Sequence, residues 1–124
     1  MNDVYDSQGL GRRVNELLLL SALRRRPMHG YQVALEIEKR SDGYFSFNHG
    51  TLYPILHKLE KDGLIAGRWS DPGEGRPRKE YALTEAGRTY LNEGAREWRT
   101  LEAQLGRFLD EEESDDEQVR TGAA

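Results

Sequence analysis

Residues 48–65 read NHGTLYPILHKLEKDGLI, and they carry the clearest helical pattern in the chain. Asn48 is a good N-cap, because its side-chain oxygen can accept a hydrogen bond from the first helical turn. Asp62 and Gly63 end the pattern as a helix C-cap does. Pro54 lies early, where a distorted first turn is tolerable. The stretch predicts an amphipathic helix, because four apolar residues fall at i, i+3, i+4 and i+7: Leu52, Ile55, Leu56 and Leu59.

Two more helices are predicted upstream of this stretch. The first is Arg12–Arg26, which carries apolar residues at helical spacing and is stopped by Pro27. The second is Gly30–Arg40, and Tyr44–Phe47 after it is either a short strand or an extended linker. Residues 1–11 are polar and are expected to form a flexible arm. The apolar side of the second helix is marked by Tyr31, Ala34 and Leu35 and broadened by Val33 and Ile37.

A hairpin and a last helix are predicted downstream. Leu64–Trp69 and Arg78–Leu83 flank a loop rich in Gly and Pro, which is typical of a β-hairpin with a long tip. The last helix runs from about Thr84 to Leu109. Three helices followed by a hairpin is the element order of a winged helix-turn-helix domain. We therefore expect a mainly α (α+β) fold with a winged helix-turn-helix over residues 12–83, a C-terminal dimerisation helix over 84–109 and a disordered acidic tail over 110–124.

The composition excludes several classes of protein. The chain has 124 residues, enough for one domain. It has no Cys, which excludes disulfides, a thiol nucleophile and Cys-ligated zinc. The longest apolar run, Leu17–Leu20, is far shorter than a membrane span, and no export signal opens the chain. We therefore expect a cytoplasmic protein.

The net charge of −4 is unevenly distributed. Residues 1–83 carry 13 Lys and Arg against 11 Asp and Glu, whereas residues 84–124 carry 5 against 11. Seven of these acids lie in Asp110–Glu117. The acidic sum does not exclude nucleic-acid binding, because phosphate binding depends on local clusters of basic side chains.

No pattern of catalytic or metal-binding residues is present. The sequence lacks a Gly-rich phosphate loop, a nucleophile elbow and a zinc-protease helix motif. His49 and His57 lie eight residues apart on one helix and His29 lies on another element, which is not the spacing of a metal site. We expect no catalytic residue, no metal and no cofactor, and therefore no enzyme activity.

One face of the third helix and the hairpin predict an interface with double-stranded DNA. The face opposite the apolar stripe carries hydrogen-bond donors and small residues but no acid, and four basic residues surround the hairpin tip. The helix would enter the major groove, and the hairpin wing would contact the backbone or the minor groove. Alternatively, Tyr53 only packs the helix-turn-helix and the wing cations only keep the hairpin solvated. The predicted contact residues are His49, Gly50, Thr51, Tyr53, Pro54, His57, Lys58, Lys61, Arg68, Arg76, Arg78 and Lys79.

The last helix carries an apolar seam with little core left to pack against. The seam spans fewer than three heptads, too few for a coiled coil by itself. A matching helix from a second copy of the chain would cover it, so we predict a homodimer. Its interface would contain Leu91, Gly94, Trp98, Leu101, Leu105 and Phe108.

Three segments together resemble the PadR family of bacterial transcriptional regulators. They are MHGY at Met28–Tyr31, GTLYPILHKLEKDGLI at Gly50–Ile65 and RKEYALTEAG at Arg78–Gly87. The combination Gly-Thr-Leu-Tyr-Pro is highly specific, and the resemblance covers residues 14–109. A single last helix is similar to the short subfamily. The acidic tail after Asp110 is not part of the family pattern.

The resemblance implies a dimeric repressor that releases DNA when it binds a small effector. In some short members, aromatic ligands sit between Trp side chains at the dimer centre. Trp98 stands at about the equivalent point, and Gly94 and Ala95 would leave room beside it. We predict that these three residues contact a small aromatic or nucleotide-like effector; the alternative is that Trp98 only packs the dimer interface.

A second hypothesis comes from another class of function. The chain would be a winged-helix protein-interaction module without specific DNA binding, which docks partners through its acidic tail. It predicts partner capture that depends on Asp110–Glu117 and no operator binding. A small-molecule carrier or an enzyme would need a polar constellation that the sequence does not contain.

Overall fold

The computed structural model describes residues 10–73 and 75–111. It is mainly helical, and its long last helix contains a boundary between two compact units, at Asn92 and Glu93. The predicted winged helix-turn-helix architecture is confirmed by the order of the elements. These are α1 (Leu10–Arg25), β1 (Met28–His29), α2 (Gly30–Arg40), α3 (His49–Lys61), β2 (Ile65–Trp69), β3 (Lys79–Leu83) and α4 (Glu85–Leu109).

The ends of α3 follow the predicted capping chemistry. The side-chain oxygen of Asn48 accepts a hydrogen bond from the backbone nitrogen of Thr51 at 2.9 Å. Asp62 is the C-cap, and Gly63 takes φ of +78°, a left-handed conformation that costs glycine least. Pro54 lies inside the helix, in its first half. The sequence therefore determines where this helix begins and ends.

The three strands form an antiparallel sheet in the order β1-β3-β2. The predicted hairpin is its larger part, and its register runs from Ile65 opposite Leu83 at the base to Trp69 opposite Lys79 at the far end. Strand β1, in which Met28 pairs with Tyr81, was not predicted from the sequence. A strand of two residues is too short for alternation to reveal it.

The core of the first unit lies between the helices and the sheet. The apolar stripe of α3 contributes Leu52, Leu56 and Leu59, which are buried, whereas Ile55 is half-buried. Leu91 of α4 belongs to the same core and is only 3% exposed. It was predicted to lie in a dimer interface, but in the structure it is covered by its own chain.

Two predictions made from the sequence were wrong in detail, the start of α1 and the apolar side of α2. Helix α1 begins at Leu10, inside the predicted arm, and residues 1–9 lie outside the described part of the chain. No strand forms over Tyr44–Phe47, so the linker is the alternative that remains there. The predicted apolar side of α2 was partly wrong, because Tyr31 and Leu35 are 56% and 47% exposed. The helix packs instead through Ala34 and through Val33 and Ile37, two residues that were predicted only to broaden that side.

Candidate nucleic-acid interface

The outer face of α3 is presented to solvent because its opposite face is anchored in the core. Leu52, Leu56 and Leu59 fix the rotation of the helix about its axis. Two of the predicted contact residues on the other side are half-buried, Thr51 and Tyr53. The rest are exposed: His49, Gly50, Pro54, His57, Lys58 and Lys61.

A series of edge-to-face aromatic rings joins α2 to α3. The ring centroids of Tyr31 and His49 lie 6.2 Å apart, and those of His49 and Tyr53 lie 5.6 Å apart, with interplanar angles of 86° and 88°. Such T-shaped contacts are favourable because the positive edge of one ring meets the negative face of the next. The series orients His49 and Tyr53. Tyr31 was not predicted to belong to this surface, because its spacing placed it on the apolar side of α2.

Close packing beneath this series requires a glycine at the start of α2. A Cβ on Gly30 would lie 3.0 Å from Tyr53 Cε1 and from Leu56 Cδ1. A Cβ on Gly50 would meet only Asn48 Oδ1, at 3.4 Å. The packing of α2 on α3 therefore depends on Gly30, whereas the absence of a side chain at Gly50 leaves the exposed surface of α3 open.

The helix face and the wing share one groove of about 630 Å³. All three histidines of the chain line it: His29, His49 and His57. The predicted wing residues Arg76 and Arg78 line the same groove. Aromatic rings complete its walls, namely Tyr31, Tyr53, Trp69 and Tyr81. The structure thus brings together predicted residues from α3 and from the hairpin, which are about 20 or more positions apart in sequence.

The wing carries its exposed cations around a second cavity of about 310 Å³. Arg68, Arg76 and Arg78 line it, and the acids Asp71 and Glu80 lie in the same wall. The hairpin end is closed by two hydrogen bonds. The backbone nitrogen of Ser70 donates to the carbonyl of Arg78 at 2.8 Å, and the nitrogen of Arg78 donates to Ser70 Oγ at 3.1 Å. These bonds hold the backbone that carries Arg78.

Two of the predicted basic residues are paired with acids. Lys58 Nζ lies 2.7 Å from Asp62 Oδ2, and this hydrogen bond raises the pKa of Lys58. Both side chains are exposed, so salt screens the pair strongly. Lys79 Nζ donates to Glu60 Oε1 at 2.9 Å, which raises the pKa of Lys79 and lowers the pKa of Glu60. Lys79 is therefore held on the protein, unlike the exposed Arg68, Arg76 and Arg78.

The second unit exposes part of the apolar seam of α4. Trp98, Leu101, Leu105 and Phe108 are 38%, 49%, 47% and 76% exposed and follow a 3-4-3 spacing. Gly94 is buried and Ala95 is half-buried. The predicted seam therefore consists of four exposed large residues, one small buried residue and Leu91, which belongs to the core of the first unit.

Within residues 10–73 and 75–111, no helix is both long and apolar enough to cross a membrane. The same residues include no cluster of three His, Cys, Asp or Glu side chains that could hold a metal ion. The predicted docking tail over Asp110–Glu117 lies almost entirely outside them.

Comparison with known proteins assigns the family. Residues 19–93 match the model of the transcriptional regulator PadR-like family. The chain is 30% identical over 81 residues to the negative transcriptional regulator PadR of Bacillus subtilis, a match that covers 65% of this chain and 44% of that protein. The chain thus spans less than half of the length of that relative.

Two solved structures have the same fold. A transcriptional regulator from Clostridium thermocellum matches with a TM-score of 0.74 and 25% identity, over 80% of this chain and 96% of that one. Bacillus subtilis PadR in complex with operator DNA matches with a TM-score of 0.59 and 29% identity, over 64% of this chain and 45% of that one. The chain belongs to the PadR-like family, whose members are transcriptional regulators and not enzymes.

Proposed function

We propose that this chain is a homodimeric transcriptional repressor that binds operator DNA. One observation carries the proposal: α3, α2 and the wing line a single groove that collects hydrogen-bond donors, aromatic rings and exposed arginines. The Bacillus relative is a negative regulator, and its structure holds operator DNA. We place this function in the cytoplasm, where the protein would meet DNA.

In this proposal α3 enters the major groove and the wing follows the backbone. Tyr53 and His49 project from the outer face of α3 with their rings fixed by mutual contact, which suits them for contact with base edges. Arg76 and Arg78 stand across the groove on the hairpin, where they can neutralise phosphates. Tyr31 extends the same surface and is a further contact residue. The phosphate contacts supply affinity, and the contacts of α3 supply sequence preference.

The dimer is supported by the exposed seam of the second unit. Trp98, Leu101, Leu105 and Phe108 expose large apolar surface at the spacing of one helix face. Burial of a large apolar side chain contributes about 1.5–3 kcal/mol, so pairing of two such seams would be strongly favourable. A two-fold interface uses the same patch on both subunits, which fits a palindromic operator with half-sites about 34 Å apart.

An effector would act through the same helices. Trp98 is partly exposed, so its ring could stack on an aromatic or nucleotide-like molecule at the dimer centre. Gly94 and Ala95 are mostly covered, which favours a ligand that contacts the ring rather than these two residues. Binding there would favour one spacing of the two α3 helices over another and so change operator affinity.

A gel-shift titration tests the proposed function. The purified protein is titrated against DNA from upstream of its own coding region, at two salt concentrations, with random DNA as competitor. The proposal predicts specific binding that weakens steeply with salt. The proposal would be contradicted if, at both salt concentrations, the protein bound neither this fragment nor any sequence selected from a random library more tightly than random DNA. A pull-down that depends on Asp110–Glu117 would then favour the interaction-module hypothesis.

A further inference from the structure

One carboxylate connects α3 to both strands of the wing. Glu60 lies in the last turns of α3. Its Oε1 accepts a hydrogen bond from Lys79 Nζ of β3 at 2.9 Å, and its Oε2 accepts one from the backbone nitrogen of Gly67 of β2 at 3.3 Å. Glu60 therefore holds both strands of the hairpin to the helix that carries the predicted base contacts.

The position of this connection along the hairpin matters. At the hairpin base, Thr84 nitrogen donates to the carbonyl of Leu64 at 3.2 Å, and Thr84 Oγ1 donates to the carbonyl of Gly63 at 2.7 Å. Lys79 stands at the opposite end, opposite Trp69 in the last pair of the β2–β3 ladder. Glu60 therefore holds β2 at its middle residue, Gly67, and holds β3 through Lys79, the residue that directly follows the loop with Arg76 and Arg78.

The surroundings of the pair favour a fixed geometry. The side chains of Lys79 and Glu60 are 25% and 30% exposed. The ammonium also lies 5.7 Å from the centroid of the Trp69 ring and 5.5 Å from that of Tyr81, within the range of cation–π attraction. These contacts restrict the lysine side chain, which is mobile when it is free in solvent.

At Gly67 the backbone of β2 lies very close to the side chains of Glu60 and Lys79. A Cβ at this position would overlap Lys79 Cε and would lie 2.9 Å from Glu60 Oε2. The backbone amide of Gly67 reaches the carboxylate because no side chain separates them. A glycine in the middle of a strand is otherwise unfavourable, and here it permits the contact.

We propose that Glu60 and Lys79 are positioning residues for DNA binding, and that Lys79 does not contact phosphate. Together with Gly67 they hold the wing at a set distance from α3, so that Arg76, Arg78 and the face of α3 meet one DNA duplex at the same time. This inference rests on the proposed function. It differs from the prediction made from sequence, in which Lys79 is a DNA contact like the other wing cations.

Glu60→Gln separates the two roles of Lys79. The variant removes the negative charge and leaves one acceptor oxygen for two donors, which weakens the hold on Lys79. If Lys79 binds phosphate, the variant should therefore bind DNA as tightly as the wild type or more tightly. A positioning pair predicts the opposite, a loss of about tenfold despite the more positive charge. Lys79→Met should lose a similar factor, and the double variant should lose no more than either single variant, because all three break the same connection.

Asp62→Asn is the matched control. It removes an acid from the same end of α3 and releases Lys58, whereas the hydrogen bonds of Asp62 within the described residues go to Lys58 and to the backbone of its own helix. It should bind DNA as the wild type does or more tightly. The exchange rate of the Gly67 amide, followed by NMR without DNA, should rise in Glu60→Gln and stay unchanged in Asp62→Asn, which shows the loss of the contact in a folded protein.

The experiment measures affinity for a duplex that the wild-type protein selects from a random library, by fluorescence anisotropy over a range of salt concentrations. Tenfold weaker binding by Glu60→Gln, with Asp62→Asn unaffected, supports the inference. Wild-type-like or tighter binding by Glu60→Gln overturns it while the proposed function stands. If the wild type selects no sequence, the proposed function fails and this inference fails with it. Denatured Glu60→Gln would show as collapsed amide dispersion, and Lys79→Met then decides. If the slope of log affinity against log salt falls by about 1.8, one contact in each subunit of the proposed dimer, with no other loss, the inference is overturned.

Discussion

Replacing Gly87 by Ala should unfold the protein at a much lower temperature. Gly87 lies in the first turn of α4, where a Cβ would overlap the carbonyl oxygen of Leu64 and lie 2.8 Å from Leu83 Cδ1. The obstacle is backbone, and the same carbonyl already accepts a hydrogen bond from Thr84 nitrogen at 3.2 Å. The neighbouring chain therefore has to move by an ångström or more and weaken that bond.

The magnitude follows from the cost of overpacking. Inserting a methyl group into a close-packed site costs about 1–3 kcal/mol, and a backbone obstacle places this case near the upper value. For a domain of this size, about 1 kcal/mol lowers the melting temperature by roughly 4–8 °C. We therefore expect a decrease of roughly 12–24 °C. Circular dichroism at 222 nm measures it, with all variants at one protein concentration because association shifts the melting temperature.

Gly50→Ala is the matched control for this prediction. It makes the same chemical change in another helix, where the added Cβ would meet only Asn48 Oδ1 at 3.4 Å. Its melting temperature should equal or slightly exceed that of the wild type, because Ala is a better helix former than Gly. A Gly87→Ala protein that melts within about 4 °C of the wild type would refute the close approach of α4 to the wing base.

Three further predictions address the wing, the core and the seam. Arg78→Ala should weaken binding to all DNA sequences and reduce the slope of log affinity against log salt by about 1.8, since the proposed dimer loses one phosphate contact in each subunit, measured by anisotropy; an unchanged slope would remove Arg78 from the phosphate contacts. Asn15 is 3% exposed, its Oδ1 accepts no hydrogen bond from a described residue, and a cavity of about 290 Å³ adjoins it. Because Asn15→Leu removes this unsatisfied buried oxygen, it should raise the free energy of unfolding by about 1 kcal/mol in urea titrations. A decrease in the free energy of unfolding would contradict this prediction. Leu105→Asp should convert the dimer to monomer in light scattering, since it places a charge in the exposed seam; a variant of dimeric mass would exclude that seam.

The features of α3 could be predicted from sequence because they are local. Its apolar spacing, the Asn48 cap and the Gly63 end all lie within one short stretch, and each depends on neighbours a few positions away. The wing hairpin was predictable for the same reason, since its two strands are close in sequence. Local chemistry of this kind gave the order of elements, and that order gave the fold.

The remaining features depend on residues far apart in the chain. Strand β1 exists because Met28 pairs with Tyr81, more than 50 positions away. Lys79 has the same sequence signature whether it faces solvent or Glu60, so its pairing is visible only in three dimensions. The exposure of Tyr31 depends on the rotation of α2 about its axis. The apolar residues of α2 lie on two neighbouring faces, so their spacing alone does not determine which face is buried.

The salt dependence of operator binding is the measurement that separates specific DNA binding by α3 and the wing from its absence. Four exposed basic side chains of the predicted set form no ion pair with an acid within residues 10–73 and 75–111: Lys61, Arg68, Arg76 and Arg78. Each phosphate contact contributes about 0.9 to the slope of log affinity against log salt, so a dimer that uses all of these contacts has a slope near −7. We predict a slope steeper than about −4, with the operator bound at least 1,000-fold more tightly than random DNA. A slope near zero, or equal affinity for operator and random DNA, would contradict the account.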